Sequence, residues 1–205
     1  GLQAAIAAAR NGHRVTLCER HELTGGAVRL AASVPNRAEF GDLVRNQFSE
    51  CRRLGVAVEY GVEADAAEIR RRNPDRVVIA TGARAARPWW APGDAEWIVD
   101  VRDVLEGRAQ PTGSVIVLDE IGFHHATSVA ELLADRGCSV EVITPGMVVG
   151  QDLGITLDME NWWIRAGAKG IVQSTELVPM GVTDTEGTHT IDFQHHPTGQ
   201  MRQRV

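Results

Sequence analysis

The sequence predicts an α/β protein with two doubly wound parallel sheets, the second carrying an added β-meander. Three observations predict it. Short apolar runs at 15–19, 56–60, 115–118 and 139–143 alternate with segments of helical periodicity, the grammar of strand–helix–strand units. Gly12, Gly55 and Gly137 each stand between a helical segment and the strand that follows, where a left-handed residue ends a helix. After about residue 170 the pattern changes to successive strands near 171–182, 188–195 and 201–205. Turns at 184–187 and 197–199 separate them.

In chain order, Gly1 heads a helix over 2–10, and the strand 15–19 closes on an acid, Glu19, 18 residues after Gly1. Helix, glycine turn and short apolar strand ending in a carboxylate make the second half of a dinucleotide-binding βαβ unit. There the helix N-terminus faces a pyrophosphate and the acid accepts hydrogen bonds from an adenosine ribose. Gly1 then stands as the last glycine of G-x-G-x-x-G. The strand and the two glycines before it would precede Gly1, so the sequence reads as a fragment of a longer chain, lacking the first strand of its sheet.

A loop over 21–26 leads to a helix over 37–54, with Phe40, Leu43, Val44, Phe48, Cys51 and Leu54 at helical spacing. A strand at 56–60, a short helix at 64–72 and a strand at 76–82, ending in Ala80-Thr81-Gly82, complete the first half. Arg70-Arg71-Arg72 reads as a solvated helix end. Residues 84–113 read as a connector: Pro88-Trp89-Trp90-Ala91-Pro92-Gly93 disfavours regular structure, a helical patch covers 101–105, and Pro111-Thr112-Gly113 closes it. The expected domains are 1–110 and 111–205. The tryptophans Trp89, Trp90, Trp97, Trp162 and Trp163 are expected at domain seams, where large rings bury most area. The second half places a strand at 115–118, a helix from His124 to Asp135, a strand at 139–143 and a helix near 155–165.

Composition excludes several classes. A net charge of −6 with no basic stripe argues against a nucleic-acid partner. Cys18, Cys51 and Cys138 are isolated, so this stretch holds no C-x-x-C dithiol, zinc ribbon or iron–sulfur ligand set. Scattered thiols suit a reducing cytoplasm. No apolar run approaches the length needed to span a bilayer. His124 and His125 are adjacent and point to different sides of a helix, a poor metal pair, so no metal site is expected.

Gly1…Glu19-Arg20, Thr24-Gly25-Gly26, Pro35-Asn36-Arg37-Ala38-Glu39-Phe40, Leu54-Gly55-Val56, Ala80-Thr81-Gly82, Asp119-Glu120-Ile121-Gly122 and Val142-Ile143-Thr144-Pro145 follow in one order. This ordered set resembles the C-terminal half of the trimethylamine dehydrogenase / 2,4-dienoyl-CoA reductase family of old-yellow-enzyme-like oxidoreductases. Any one of these motifs is weak; the order carries the resemblance, which covers nearly the whole chain. It implies a glutathione-reductase-like tandem of FAD- and NAD(P)-binding, Rossmann-like domains. The first half would be the FAD- or ADP-binding domain and the second the inserted NAD(P)-like domain. A barrel with FMN and a 4Fe-4S cluster would lie upstream, outside these residues. No catalytic residue is therefore expected here. The small-molecule substrate would be met through that barrel, and an electron-acceptor protein is a possible partner in the family's amine-dehydrogenase branch.

The expected cofactor contacts follow residue by residue. Gly1 allows close approach to a pyrophosphate, and Glu19 offers two acceptors to ribose hydroxyls. The resemblance adds Arg20 near the adenosine and the amides of Gly25 and Gly26 at the phosphates, with Ala27 replacing the family's polar residue. It also adds the backbone of Ala64 at the adenine edge. Ala80, Thr81 and Gly82 end a strand at the sheet edge where ligands of open α/β sheets collect. In the second half, the turn after strand 115–118 lacks the glycine fingerprint. Asp119 and Glu120 stand where a pyrophosphate would need bare amides, and Thr144-Pro145 supplies neither an acid nor an arginine for a ribose. That domain is expected to be degenerate. The chain reads as the FAD- or ADP-binding, electron-relaying part of an amine dehydrogenase- or demethylase-like flavoenzyme. An NAD(P)H-dependent enoate reductase and a non-catalytic nucleotide-binding scaffold are the alternatives.

Overall fold

The computed structural model describes residues 1–93 and 95–205; Asp94, inside the connector read at 84–113, lies outside them. The chain divides into two compact units, Gly1–Arg84 and Ala85–Val205.

In the first unit, helix α1 (Leu2–Arg10) leads into strand β1 (Thr16–Glu19), and helix α3 (Phe40–Arg53) leads into β2 (Ala57–Tyr60). The strands pair in parallel, Thr16 against Ala57 through Glu19 against Tyr60. Leu2, Ala5 and Ile6 of α1 meet Val44, Phe48 and Cys51 of α3 and the strand residues Leu17 and Val58 in one apolar cluster. The helical spacing of α3 is thus used from Val44 onward. Phe40 and Leu43, in its first turn, remain 38% and 49% exposed. Arg10 of α1 donates to Glu50 of α3 at 2.7 Å, clamping the two helices at their outer face.

Two features differ from the sequence reading. The loop expected over 21–26 leads directly into a short helix, α2 (Gly26–Ala31), entered through left-handed Gly25. The strand expected over 76–82 is not formed. A strand exists through its ladder, and among the described residues β1 and β2 are bonded to each other and neither edge takes up this segment. Val77, Val78 and Ile79 are consequently 49%, 70% and 82% exposed. Between β2 and this segment, α4 (Ala66–Arg72) starts on Asp65, whose carboxylate accepts the Glu68 amide at 2.8 Å. Its arginines are not simply solvated: Arg71 and Arg72 both bond Glu68, and Arg72 also reaches Glu59 of β2 at 2.7 Å.

In the second unit, α5 (Val101–Leu105) precedes the parallel strands β3 (Ser114–Leu118), β4 (Ser139–Ile143) and β5 (Val172–Ser174). Helices α6 (His124–Asp135) and α7 (Met159–Ala168) connect them, a 3-10 turn over Gln151–Thr156 preceding α7. An antiparallel sheet follows: β6 (Leu177–Thr185), β7 (Thr188–His195) and β8 (Met201–Arg204). The single strand expected near 171–182 is therefore two. Glu176, held at φ 59°, turns the chain between them, so β5 joins the parallel sheet and β6 the antiparallel one.

Strand periodicity explains the layering. Val115 and Val117 of β3 and Val140 and Val142 of β4 face α6 and α7, in a cluster with Val129, Leu133, Leu153 and Trp162. Ile116, Leu118 and Ile143 face the opposite way, onto Leu177, Ile191 and Phe193 of the antiparallel sheet. Two sheets share one apolar layer, with helices outside. On that second side Glu141 is held by Arg204 of β8 at 2.9 Å and by Ser174 at 2.6 Å, which balances a charge placed among apolar neighbours.

The second unit starts at Ala85, earlier than the division expected between 110 and 111, because 85–110 packs into it. Trp90 and Ala91 belong to the cluster of Ile143 and Phe193, and Val104 to that of Val129 and Leu133. The tryptophans expected at seams differ in kind. Trp90 and Trp162 are 6% and 1% exposed inside the second unit, and Trp97 stacks on His189 at 4.6 Å, while Trp89 is 75% exposed.

Candidate functional site

In the first unit the connection from α1 to β1 runs the helix antiparallel to the strand. The N-terminus of α1 therefore stands at the same end as the carboxyl ends of β1 and β2, the edge where open α/β sheets bind ligands. α1 is headed by Gly1, which has no side chain to cap its first-turn amides. A β-carbon on Gly1 would lie 3.9 Å from that of Ala80, so the helix head and the 80–82 segment are neighbours, and both present small residues. Thr81 and Gly82 continue this exposed stretch, Gly82 at φ 74° with nothing within 4 Å of a would-be β-carbon.

Glu19 ends β1. One carboxylate oxygen accepts the His21 amide at 3.0 Å, and the second has no donor among the described residues. The ladder runs one step past β2, the Val62 amide donating to the Glu19 carbonyl at 3.1 Å. This carries the 61–64 loop, with exposed Ala64, beside Glu19. An open recess of about 510 Å³ lies at this end between that loop and Ala67, Glu68 and Arg71 of α4. Arg20 is exposed and bonds His21 through Nε at 3.0 Å, so its guanidinium keeps further donors for a ligand.

Gly25 and Gly26 both lie in the left-handed region, at φ 111° and 47°. A β-carbon on Gly25 would come within 2.8 Å of Val44 on α3, so packing already demands a glycine there; Gly26 faces open space. The structure thus joins Gly1 to Ala80 and Glu19 to the 61–64 loop, and gives Gly25 a packing partner the sequence did not disclose.

In the second unit, Asp119 does not stand out from the turn to repel a ligand. It is 1% exposed and accepts the amides of Gly122 and Gly150, each at 2.8 Å. Burial pushes its carboxyl above the ordinary range, and the amides of Gly150, Gly122 and Ile121 and the charge of His125 pull it back. Glu120 is engaged too, accepting Trp90 Nε1 at 3.0 Å. Asp119-x-x-Gly122 places Asp first and Gly fourth, as a type I β-turn favours, and was the available signal. The partnership with Gly150, 31 residues away, left none.

With this geometry in place, the comparisons define the fold class: a glutathione-reductase-like tandem of doubly wound α/β units. No protein-family model matches the chain. It is 37% identical to an N,N-dimethylglycine/sarcosine dehydrogenase of Chromohalobacter salexigens over 211 residues, covering 100% of this chain and 30% of that protein. It is also 37% identical to a probable N-methylproline demethylase of Rhizobium meliloti over 145 residues, 71% of this chain and 21% of that protein. Among solved structures, the 6-hydroxypseudooxynicotine amine oxidase of Pseudomonas geniculata superposes with a TM-score of 0.89 at 23% identity, covering 100% of this chain and 31% of that one. The chain belongs to the trimethylamine dehydrogenase / 2,4-dienoyl-CoA reductase family of flavin-dependent oxidoreductases. It spans about a third or less of the relatives it matches. Among the described residues no helix is long and apolar enough to cross a membrane.

Proposed function

We propose that the first unit holds the ADP moiety of FAD, or ADP itself, and that the chain is the nucleotide-binding, electron-relaying part of an amine-oxidising flavoenzyme. The observation that carries this reading is the arrangement of Glu19. It closes a parallel strand 18 residues after a helix-heading glycine and is tied through its carbonyl to the loop carrying Ala64. The residues fit the group: backbone amides at the head of α1 for phosphate, the Glu19 carboxylate for ribose hydroxyls, and small residues at 80–82 for close approach. Gly25 and Gly26 would offer amides to the diphosphate, and Arg20 would flank the adenosine. When bound, FAD supplies reversible electron transfer at its ring; these residues bind and orient its other end. The two relatives named for N-methylated amino acids support the substrate class.

The FMN, the 4Fe-4S cluster and the substrate pocket of the whole enzyme are assigned to parts of the parent outside these 205 residues. A cytoplasmic setting and an electron-acceptor protein complete the proposal. Charge-assisted hydrogen bonds contribute roughly 1.5–3 kcal/mol. Glu19→Ala should therefore weaken ADP binding to the full chain about 10- to 100-fold by calorimetry, a factor of ten being about 1.4 kcal/mol. Unchanged affinity in a folded variant removes Glu19 from the site. A flavin band in the purified protein selects FAD; a colourless protein releasing ADP selects the nucleotide scaffold.

A further inference from the structure

The β3–α6 turn of the second unit lies where a doubly wound sheet offers backbone amides to a ligand, beyond the carboxyl end of a strand and at the head of a twelve-residue helix. In this chain the Gly122 amide of that turn is already used, together with the Gly150 amide of the segment after β4. Asp119 ends the turn's strand side with both carboxylate oxygens engaged, one by the Gly122 amide and one by the Gly150 amide, each at 2.8 Å. Its backbone is fixed as firmly. The amide donates to the Ile143 carbonyl at 2.8 Å, and the carbonyl accepts the Thr144 hydroxyl at 2.8 Å.

These bonds draw the segment after β4 down onto the turn. The Asp152 amide donates to the Gly122 carbonyl at 2.7 Å, and a β-carbon on Gly122 would lie 3.6 Å from the backbone nitrogens of Gln151 and Asp152. Gly150 is seated against Leu153 and Thr127, where a β-carbon would come within 2.7 Å of a Leu153 methyl. Glu120 is turned onto the Trp90 indole instead of guarding the entrance. The edge is closed by backbone and by a buried charge at once.

We propose that Asp119 is a built-in substitute for a dinucleotide diphosphate: its carboxylate occupies the Gly122 and Gly150 amides and locks the 144–152 segment over the turn, shutting the second unit to NADH and NADPH. Carboxylate and phosphate compete for the same N–H donors, and in a site shielded from water the resident one excludes the other by charge as well as by volume. The inference does not depend on whether the first unit binds FAD or ADP.

The test is amide spectroscopy on the isotope-labelled full chain. In the wild-type protein, millimolar NADH, NADPH or inorganic pyrophosphate should leave the Gly122 and Gly150 amide resonances unmoved and their hydrogen exchange slow. Binding at the first unit would move resonances within 1–84 and is read separately. Asp119→Asn keeps the side-chain shape but replaces one acceptor with a donor. At least one of the two amides should then exchange about tenfold faster, and pyrophosphate should shift Gly122. Ligand-dependent shifts at Gly122 and Gly150 in the wild type overturn the proposal. Unchanged exchange in the variant, or an opened turn that ignores pyrophosphate, overturns it equally. The wild-type titration decides the matter alone if the variant does not fold.

Discussion

Gly25 shows how one residue serves two demands that a linear reading cannot separate. Its left-handed backbone and its contact with Val44 would require glycine whether or not a ligand ever approached. Glu50 and Glu68 make the complementary point for charge. Hydrogen bonds from Arg53 and Arg10 lower the Glu50 carboxyl from 4.5 to about 2, and those from Arg71 and Arg72 lower Glu68 to about 2. An acid depressed in the folded state contributes stability that is complete above its unfolded value and is lost as pH falls toward its folded one. The first unit should therefore lose stability between about pH 4.5 and 2. In thermal melts across that window, the Glu50→Gln, Glu68→Gln double variant should show a shallower loss than wild type. Parallel curves would mean that these pairs are screened to insignificance.

At the scale of elements, the decisive case is 76–82. Its composition is that of a buried strand, and three β-branched residues in a row raise that expectation. Ladder partners, not side chains, make a strand, and none reaches this segment among the described residues. Among the described residues the run is exposed, although its composition suits a core. Val78, 70% exposed, can take a charge without disturbing a core. Val78→Lys should therefore change the unfolding free energy of the chain by less than about 0.5 kcal/mol in chemical denaturation. A larger loss would show that this side chain is packed in solution. The strands of the second unit behaved as their alternation demands. In β3, odd and even positions go to different layers, although 115–118 are all apolar and no sequence signal tells which layer is helical.

Across the whole molecule, the division at Arg84 reassigns the connector to the second unit. Proline and glycine content correctly denied this segment long helices or strands, but irregular backbone does not mean unburied side chains. The two adjacent tryptophans separate the readings: Trp90 is 6% exposed and Trp89 75%. Trp90→Ala should cost about 3–5 kcal/mol, the range for deleting a buried aromatic. Trp89→Ala should stay within about 0.5 kcal/mol. Chemical denaturation of the two single variants measures both, and equal effects would refute the assignment of Trp90 to the second core.

The sequence by itself determined the α/β alternation, the helices α1, α3 and α6, the strands that follow them and the place of Glu19 at a strand end. All of these rest on local periodicity and on glycines at helix ends, which act over a few residues. It also determined that the turn after β3 lacks the glycine fingerprint. The tertiary structure alone decided that Asp119 turns inward to Gly150, that Gly25 answers to Val44, that 85–110 belongs with the second core and that 76–82 pairs with nothing described. Each of these depends on a partner distant along the chain, or on its absence. A contact of that kind is set by how layers pack, which no single segment encodes.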